Sequence, residues 1–470
     1  MIGLDKYKAI FLIFISCILY LYIGYFLERT DFNTLLFVWI SLFSCFYFLI
    51  KSKQLTFKYL AAISILFRLI LLFQIPNLSQ DFYRFIWDGR MILEGLNPYL
   101  SLPETYIQQG LKPISEAVTL YQGMGELNGS HYTNYPPIHQ ICFLIAALFS
   151  SKSILGSVVV FRFLIIIADV GILYFGKKLL EKLKLPVQNI FWYVLNPFII
   201  IEMTGNLHFE SIMLFFLVCA LYKLSQKKWL IAGVLIACSI SVKLVPFLFL
   251  PLFYQWFTKA SASRLKQSHK SAVEKFEQRK WIQSFTGIKN LIVFYGLIFT
   301  TIIALFSPFY TPELIPNYSK SVGLWFQKFE FNASFYYLFR EIGYHFRGWN
   351  EIAIIGKVTS ILTLLFIGCL TFLRENKTMI QLITALLFGG CFYYFTTTTM
   401  HPWYLATLLI LSVFTKYRFP IVWSLVIILS YQAYANNPWK ENFWFVGFEY
   451  FIVFLYLIFE LKKKNNTQLT

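Results

Sequence analysis

Two of the chain's five aspartates, Asp81 and Asp88, stand seven residues apart in the stretch DFYRFIWDGRMILEGLNPY, and carboxylates so placed suit acid–base work. In a helix that spacing returns both to one face, roughly 10 Å apart along the axis. The separation is too large for a shared proton but fits separate tasks, one carboxylate deprotonating a hydroxyl while the other orients a reactant. A plainer reading stays open, in which Asp81 caps the helix and Asp88 pairs with Arg84 one turn earlier. Arg84 and Arg90 share the segment, and a guanidinium fork matches a phosphate group. Both arginines equally suit snorkelling to lipid headgroups or neutralising the two aspartates.

Three further polar clusters lie far along the chain: Glu202, Asn206, His208 and Glu210 in EMTGNLHFE; His401, Trp403 and Tyr404 in MHPWYL; and Tyr318, Lys320, Asn332 and Tyr336 within 308–351. Their expected placement on the same face as the aspartates argues for one composite site; the alternative is separate interfacial anchors. Arg162, Asp169 and Lys243 fall inside apolar runs, where an ionisable group is costly and so a functional suspect. Arg162 and Asp169, again seven apart, are expected to pair with each other structurally. The sequence holds no Walker-type phosphate loop, dinucleotide glycine fingerprint, HExxH or CxxC pair, which argues against an ATP-driven pump, a Rossmann-type enzyme and a zinc protease. Nor does it contain a matched pair of Gly/Pro-broken halves, the mark of many secondary transporters. The seven cysteines lie within apolar runs without metal-ligand spacing and read as small hydrophobes.

The elements that must position these residues are membrane helices. Of 470 residues, 58% are hydrophobic and 14% charged, with a mean hydropathy of +0.61, a balance that excludes a water-soluble domain. Apolar runs of spanning length occur near 8–27, 33–50, 57–75, 154–176, 287–307, 352–373 and 378–397, with shorter ones between and after them. Backbone amides in lipid need internal partners. The expectation is therefore one all-α polytopic domain, 1–470, of about 11–14 helices. The net charge of +18 does not point to nucleic acid, because Lys and Arg concentrate in short connections: Lys51, Lys53 and Lys58; Lys177, Lys178, Lys182 and Lys184; Lys227 and Lys228; Arg374 and Lys377; Lys416 and Arg418; Lys462 to Lys464. These, with the basic loop 258–286, are expected to be cytoplasmic. Both termini then lie inside, and 76–137, 204–208, 308–351, 398–401 and 435–444 lie outside. The first apolar run lacks a cleavage signal and is expected to remain as the first span. Segments 138–176 and 229–257 fit this alternation only if each contains short helices that do not fully cross.

The 62-residue segment 76–137 is long enough to demand a function. A helix is expected from Asp81 to Glu94, with Phe82, Phe85, Ile86 and Met91 against the bilayer, closed by Gly95 and Asn97-Pro98. A second short helix is expected from Ile114 to Tyr121, before Gly123, Gly125 and Gly129 loosen the chain.

Residues 81–99 resemble the integral-membrane GT-C glycosyltransferases, most of all the bacterial polyprenyl-phosphomannose-dependent mannosyltransferases, whose pattern is approximately D-x-Y-R-Y-x-W-D-G-x-x-x-x-x-G-x-N-P-Y. YPPIHQ at 135–140, NPFIIIEMTGNLHFE at 196–210, VKLVPFLFLP at 242–251, FNASFYYL at 331–338 and HPWYL at 401–405 are similar too, in the family's order. Phe85 replaces a usual Tyr, and His208-Phe209-Glu210 replaces a more common His-Asn-Asp/Glu. The resemblance implies a GT-C type bundle, a lipid-phosphosugar donor, a metal-optional reaction and inversion at the anomeric carbon. By position Asp81 inherits the role of base, with Asp88 as the second site carboxylate and Arg84 and Arg90 toward the donor phosphate. Tyr83, Trp87, Asn97, Tyr135, Glu202, Asn206, His208, Glu210, Lys320, Asn332, His401, Trp403 and Tyr404 are the implied substrate contacts. The expected activity is transfer of a sugar, mannose first, from a polyprenyl-phosphate carrier to a hydroxyl of a glycan, lipid or protein. Its expected place is the non-cytoplasmic face of a bacterial inner membrane. No cofactor and no nucleic acid is called for; a divalent metal stays open but is not indicated. The competing classes are a lipid-linked sugar carrier or flippase, which needs no base, and a non-catalytic assembly subunit.

Overall fold

The computed structural model describes residues 2–258 and 273–466, which form helices and connections with no strand among them. The protein is an all-α polytopic membrane protein. Among the described residues seven helices are long and apolar enough to cross a bilayer: Tyr7–Tyr25, Phe32–Lys51, Ile154–Leu183, Thr286–Phe309, Ile352–Phe372, Met379–Thr396 and Phe443–Lys463. An eighth crossing is broken, Pro197–Gly205 meeting Glu210–Ser225 at 116°. The remaining expected crossings correspond to shorter apolar helices, Pro137–Phe149, Trp229–Ile240, Val245–Thr258, Pro402–Val413 and Phe419–Ala435. A helix of twelve or thirteen residues reaches roughly 20 Å, short of the hydrocarbon thickness. The third expected span also stops early, its helix running Phe57–Ile70. The basic loop expected at 258–286 lies partly outside the described residues; from Val273 the backbone is already helical.

Trp229–Ile240 and the turn after it position one of the site residues. Ile138 N–H donates to the Ser241 carbonyl at 2.9 Å, docking the turn that carries Lys243 onto the Tyr135-Pro136-Pro137 corner. The broken span is held open by Arg162, whose guanidinium donates to the carbonyls of Thr204 (2.8 Å), Gly205 (3.1 Å), Leu72 (2.8 Å) and Gln74 (2.8 Å). Buried carbonyls at helix ends need such partners. Leu207, at φ 63°, then turns the chain into the next helix. The expected Arg162–Asp169 pair is therefore not formed. Asp169 pairs instead with Arg68 at 2.8 Å, both buried, and Arg68 also donates to the carbonyls of Ser64 and Val194.

Segment 76–137 is ordered around the helix Asp81–Leu93. It ends as expected: Gly95 adopts φ 76°, and Leu96 N–H returns to the Met91 carbonyl. Its apolar side does not meet lipid. Phe82, Phe85, Ile86 and Met91 are all buried, and Phe85 packs among Tyr135, His139, Phe143, Phe161 and Phe209. The apolar pattern was compatible with either burial, and helix Pro137–Phe149 supplies the protein surface that takes it. The second helix runs Ala117–Gly129, bent at Gly125 (φ 76°), so Gly123 lies within it instead of ending it. A further short helix covers Pro103–Gln108.

Gly89 sets how closely Asp81–Leu93 and Pro137–Phe149 approach. A Cβ at Gly89 would lie 2.2 Å from the Phe143 carbonyl oxygen, a backbone atom that cannot swing aside. Gly89→Ala is expected to force the helices apart and lower stability by roughly 1–3 kcal/mol, as overpacking does. An unchanged thermal melt in detergent would show that the two helices have slack.

Candidate functional site

Asp81 opens its helix as the first helical residue, after Gln80 at the N-cap. Its carboxylate is partly exposed, and the nearest donor is the Asn128 amide, a long 3.5 Å away. Crowding by protein pushes the Asp81 carboxyl above the usual carboxylate range; Lys243, the Asn128 contact and Arg29 partly offset this. A raised, loosely held carboxylate is what a general base requires.

Asp88, on the same helix, is fully buried and fully committed. Arg84 Nε donates to one oxygen at 2.8 Å and Gln140 Nε2 to the other at 3.1 Å. The plain reading holds for Asp88 and fails for Asp81. Both Asp88 oxygens are engaged, so a second catalytic carboxylate, the expectation from sequence, would need one of these contacts to open.

Both arginines expected at the donor phosphate are turned into the protein. Arg84 NH1 donates to the carbonyls of Asn128 and His131, and Arg90 donates to the Ser115 carbonyl (2.6 Å) and to Glu116 (3.0 Å). Each is 2% exposed. They stitch Ala117–Gly129 and its entry onto the aspartate helix, and the geometry does not place either at the open side of Asp81. His131 beside Arg84 stays neutral, because burial and the Arg84 charge pull its imidazole down to about 4.

Asp81 lies within electrostatic reach of Lys243, Glu210 and Tyr404, and around these gather residues from several parts of the chain. Glu210 begins its helix and is paired with Lys243. Glu202 accepts from Tyr431 at 2.7 Å and Asn206 at 3.2 Å, with His208 Nε2 at 3.6 Å. Trp403 stacks with His208 (centroids 3.7 Å, 17° between planes) and with His401 (4.5 Å, 5°). Both the Tyr135 and Tyr404 hydroxyls lie within electrostatic reach of Asp81. The site therefore combines one loosely held carboxylate, a neutralised Glu210–Lys243 pair and an aromatic wall of Trp403, Tyr404 and two imidazoles. Such a wall suits the C–H faces of a sugar.

The third cluster joins only in part. Lys320 is exposed on its helix, with no polar partner among the described residues. Tyr336 donates to Glu330, and Tyr318 packs on Tyr99 and Phe306. Asn332 (φ 44°) is locked between Glu441 and Glu449. It nonetheless anchors Phe331, which rests 5.4 Å from His401 and bridges to Thr399. Nearer the loop, Tyr83 and Trp87 pack within it and Asn97 ties it to the Phe309 carbonyl. Each of the three has a contact within or beside the loop, and Tyr135 packs on Phe85, His139 and Phe143. Sequence reasoning missed Arg29, Asn128, Tyr431 and Tyr434. Of these only Arg29 carries a signal, a lone guanidinium between the first two apolar runs. Among the described residues no three His, Cys, Asp or Glu side chains are grouped to hold a metal ion.

An all-α membrane bundle with an acidic helix opening its first long loop now has a family to be set against. Residues 17–259 match the MptA_B family, described as alpha-(1->6)-mannopyranosyltransferase, N-terminal domain, and the chain belongs to that family. It is 30% identical over 197 residues to alpha-(1->6)-mannopyranosyltransferase A of Corynebacterium glutamicum, a match covering 40% of this chain and 36% of that protein. No solved structure matches.

Proposed function

We propose that the protein transfers mannose from a polyprenyl-phosphate carrier to an acceptor hydroxyl at the non-cytoplasmic face of a bacterial inner membrane, with inversion. The observation that carries this is Asp81, a partly exposed residue with a raised proton affinity, within electrostatic reach of Tyr135, Tyr404 and Tyr434, while Asp88, Glu202 and Glu210 are already engaged. The carrier's isoprenoid stays in lipid and its sugar enters beneath segment 76–137. Asp81 takes the acceptor hydroxyl proton as that oxygen attacks the anomeric carbon, and the phosphate leaves from the opposite side with the bonding electrons. A β-linked donor then gives an α-linked product, in keeping with the family description. The lysine-rich connections support the assignment of face, because the positive-inside rule places them in the cytoplasm and the Asp81 end outside.

The test is product formation by purified protein in liposomes holding polyprenyl-phosphomannose, with hydroxyl-bearing glycans as acceptors and the glucose and arabinose carriers as controls. Mannosylated acceptor with an α linkage is the expected result. Donor binding without product from any acceptor would favour a carrier and overturn the proposal.

A further inference from the structure

The site needs a cation for its leaving phosphate, and three of those near Asp81 already hold other partners. Arg84 and Arg90 are buried in the loop, and Lys243 is paired with Glu210. We propose that Arg29, in the connection between the first two spans, is the residue that binds the phosphate of the lipid-linked donor. The proposal rests on the reading of Asp81 as the base of a lipid-phosphosugar transferase.

Four observations carry it. First, Arg29 follows the span Tyr7–Tyr25 by four residues, so its side chain sits at the end of an apolar run, where a lipid-borne phosphate also sits. Second, it is fixed relative to the site. Asn77, four residues before Asp81, donates to the carbonyls of Ile23 and Leu27 and ties the Arg29 connection to the segment entering the aspartate helix. Third, the guanidinium lies 4.3 Å over the Tyr434 ring and makes no hydrogen bond or ion pair among the described residues, although it is only partly exposed. A guanidinium held over a ring leaves its N–H groups free for a forked pair of bonds to phosphate oxygens. Fourth, Tyr434 begins a row of rings leading into the site: Phe331 at 6.1 Å, His401 at 5.4 Å from Phe331, and Trp403 at 4.5 Å from His401. Arg29 is also within electrostatic reach of Asp81 without pairing with it. A donor with its phosphate on Arg29 would thus lay its sugar along the aromatic row toward Asp81.

The same fork would take the phosphate of an ordinary anionic lipid, so the experiment separates the two sources. Binding of a short-chain polyprenyl phosphate is followed by tryptophan fluorescence in phosphatidylcholine nanodiscs, and again with phosphatidylglycerol added. Arg29→Gln is expected to raise the Kd at least about tenfold in both lipids, the scale of a lost charge-assisted pair, while Asp81→Asn binds at least as well as the natural protein. Arg29→Lys keeps the charge but not the fork, and should weaken binding by about three- to tenfold; it answers the question should the glutamine variant fail to fold. Unchanged affinity in Arg29→Gln or, where that variant does not fold, in Arg29→Lys would overturn the proposal, as would competition by phosphatidylglycerol equal to that of the polyprenyl phosphate. Arg29-dependent binding without sugar transfer would leave this inference standing and remove the transferase reading; transfer with an unchanged donor KM in Arg29→Gln would do the reverse.

Discussion

Asp81→Asn is expected to lower sugar transfer by about two to four orders of magnitude, the usual contribution of a general base, while expression and the thermal melt stay as in the natural protein. The structural half of this follows from how little holds the side chain: one contact of 3.5 Å from Asn128, and partial exposure of the residue. The functional half has a pH signature. A base works deprotonated, and burial raises the proton affinity of Asp81 above the ordinary carboxylate range. Activity should therefore fall as pH drops through that raised value, at a higher pH than an ordinary carboxylate would give, and this acid limb should vanish from whatever activity Asp81→Asn retains. Removing a neighbouring cation acts on the same limb. Arg29→Gln withdraws one of the charges that partly offset burial, so its acid limb should move further up in pH. Transfer by Asp81→Asn at the natural rate, or an acid limb that survives in it, would place the base elsewhere.

Membrane character, the helix Asp81–Leu93 and its glycine stop were legible because each rests on local rules: apolar run length, 3.6-residue spacing and a left-handed cap. The convergence of Glu210, His208, His401 and Trp403 was legible as polar groups interrupting apolar runs at one expected face. What stayed hidden is which way an amphipathic side turns and which partner a charge finds. Phe82, Phe85 and Met91 suit lipid and protein equally, and only the docking of Pro137–Phe149 decides. Arg162 and Asp169 have the spacing of a pair, yet the break at 204–208 offers Arg162 carbonyls from two elements and leaves Asp169 to Arg68. Asp81 and Asp88 look alike in sequence and differ because Gln140, 52 residues later, reaches only the second.

That difference makes Asp88→Ala the most damaging change to the fold that this site offers. The substitution leaves the Arg84 guanidinium buried without its counter-charge, and Gln140 without one acceptor. Breaking a buried pair from one side typically costs about 3–5 kcal/mol, which should appear as a large drop in melting temperature in detergent and in yield of folded protein. Arg84→Met combined with Asp88→Leu removes both charges together and should recover much of that loss, since an apolar pair of similar volume bears no desolvation cost. Activity separates scaffold from chemistry. Asp88 holds Arg84, Arg84 NH1 holds the Asn128 carbonyl, and the Asn128 amide approaches Asp81. Asp88 thus reaches Asp81 through two intermediates, and on the proposed mechanism it would act as a positioning residue. Asp88→Asn, which keeps an acceptor for Arg84, should lower kcat by far less than Asp81→Asn and keep the acid limb of the pH profile. A stable Asp88→Asn protein as inactive as Asp81→Asn would restore Asp88 to the reacting atoms, and its buried, doubly bonded carboxylate would then have to open during turnover.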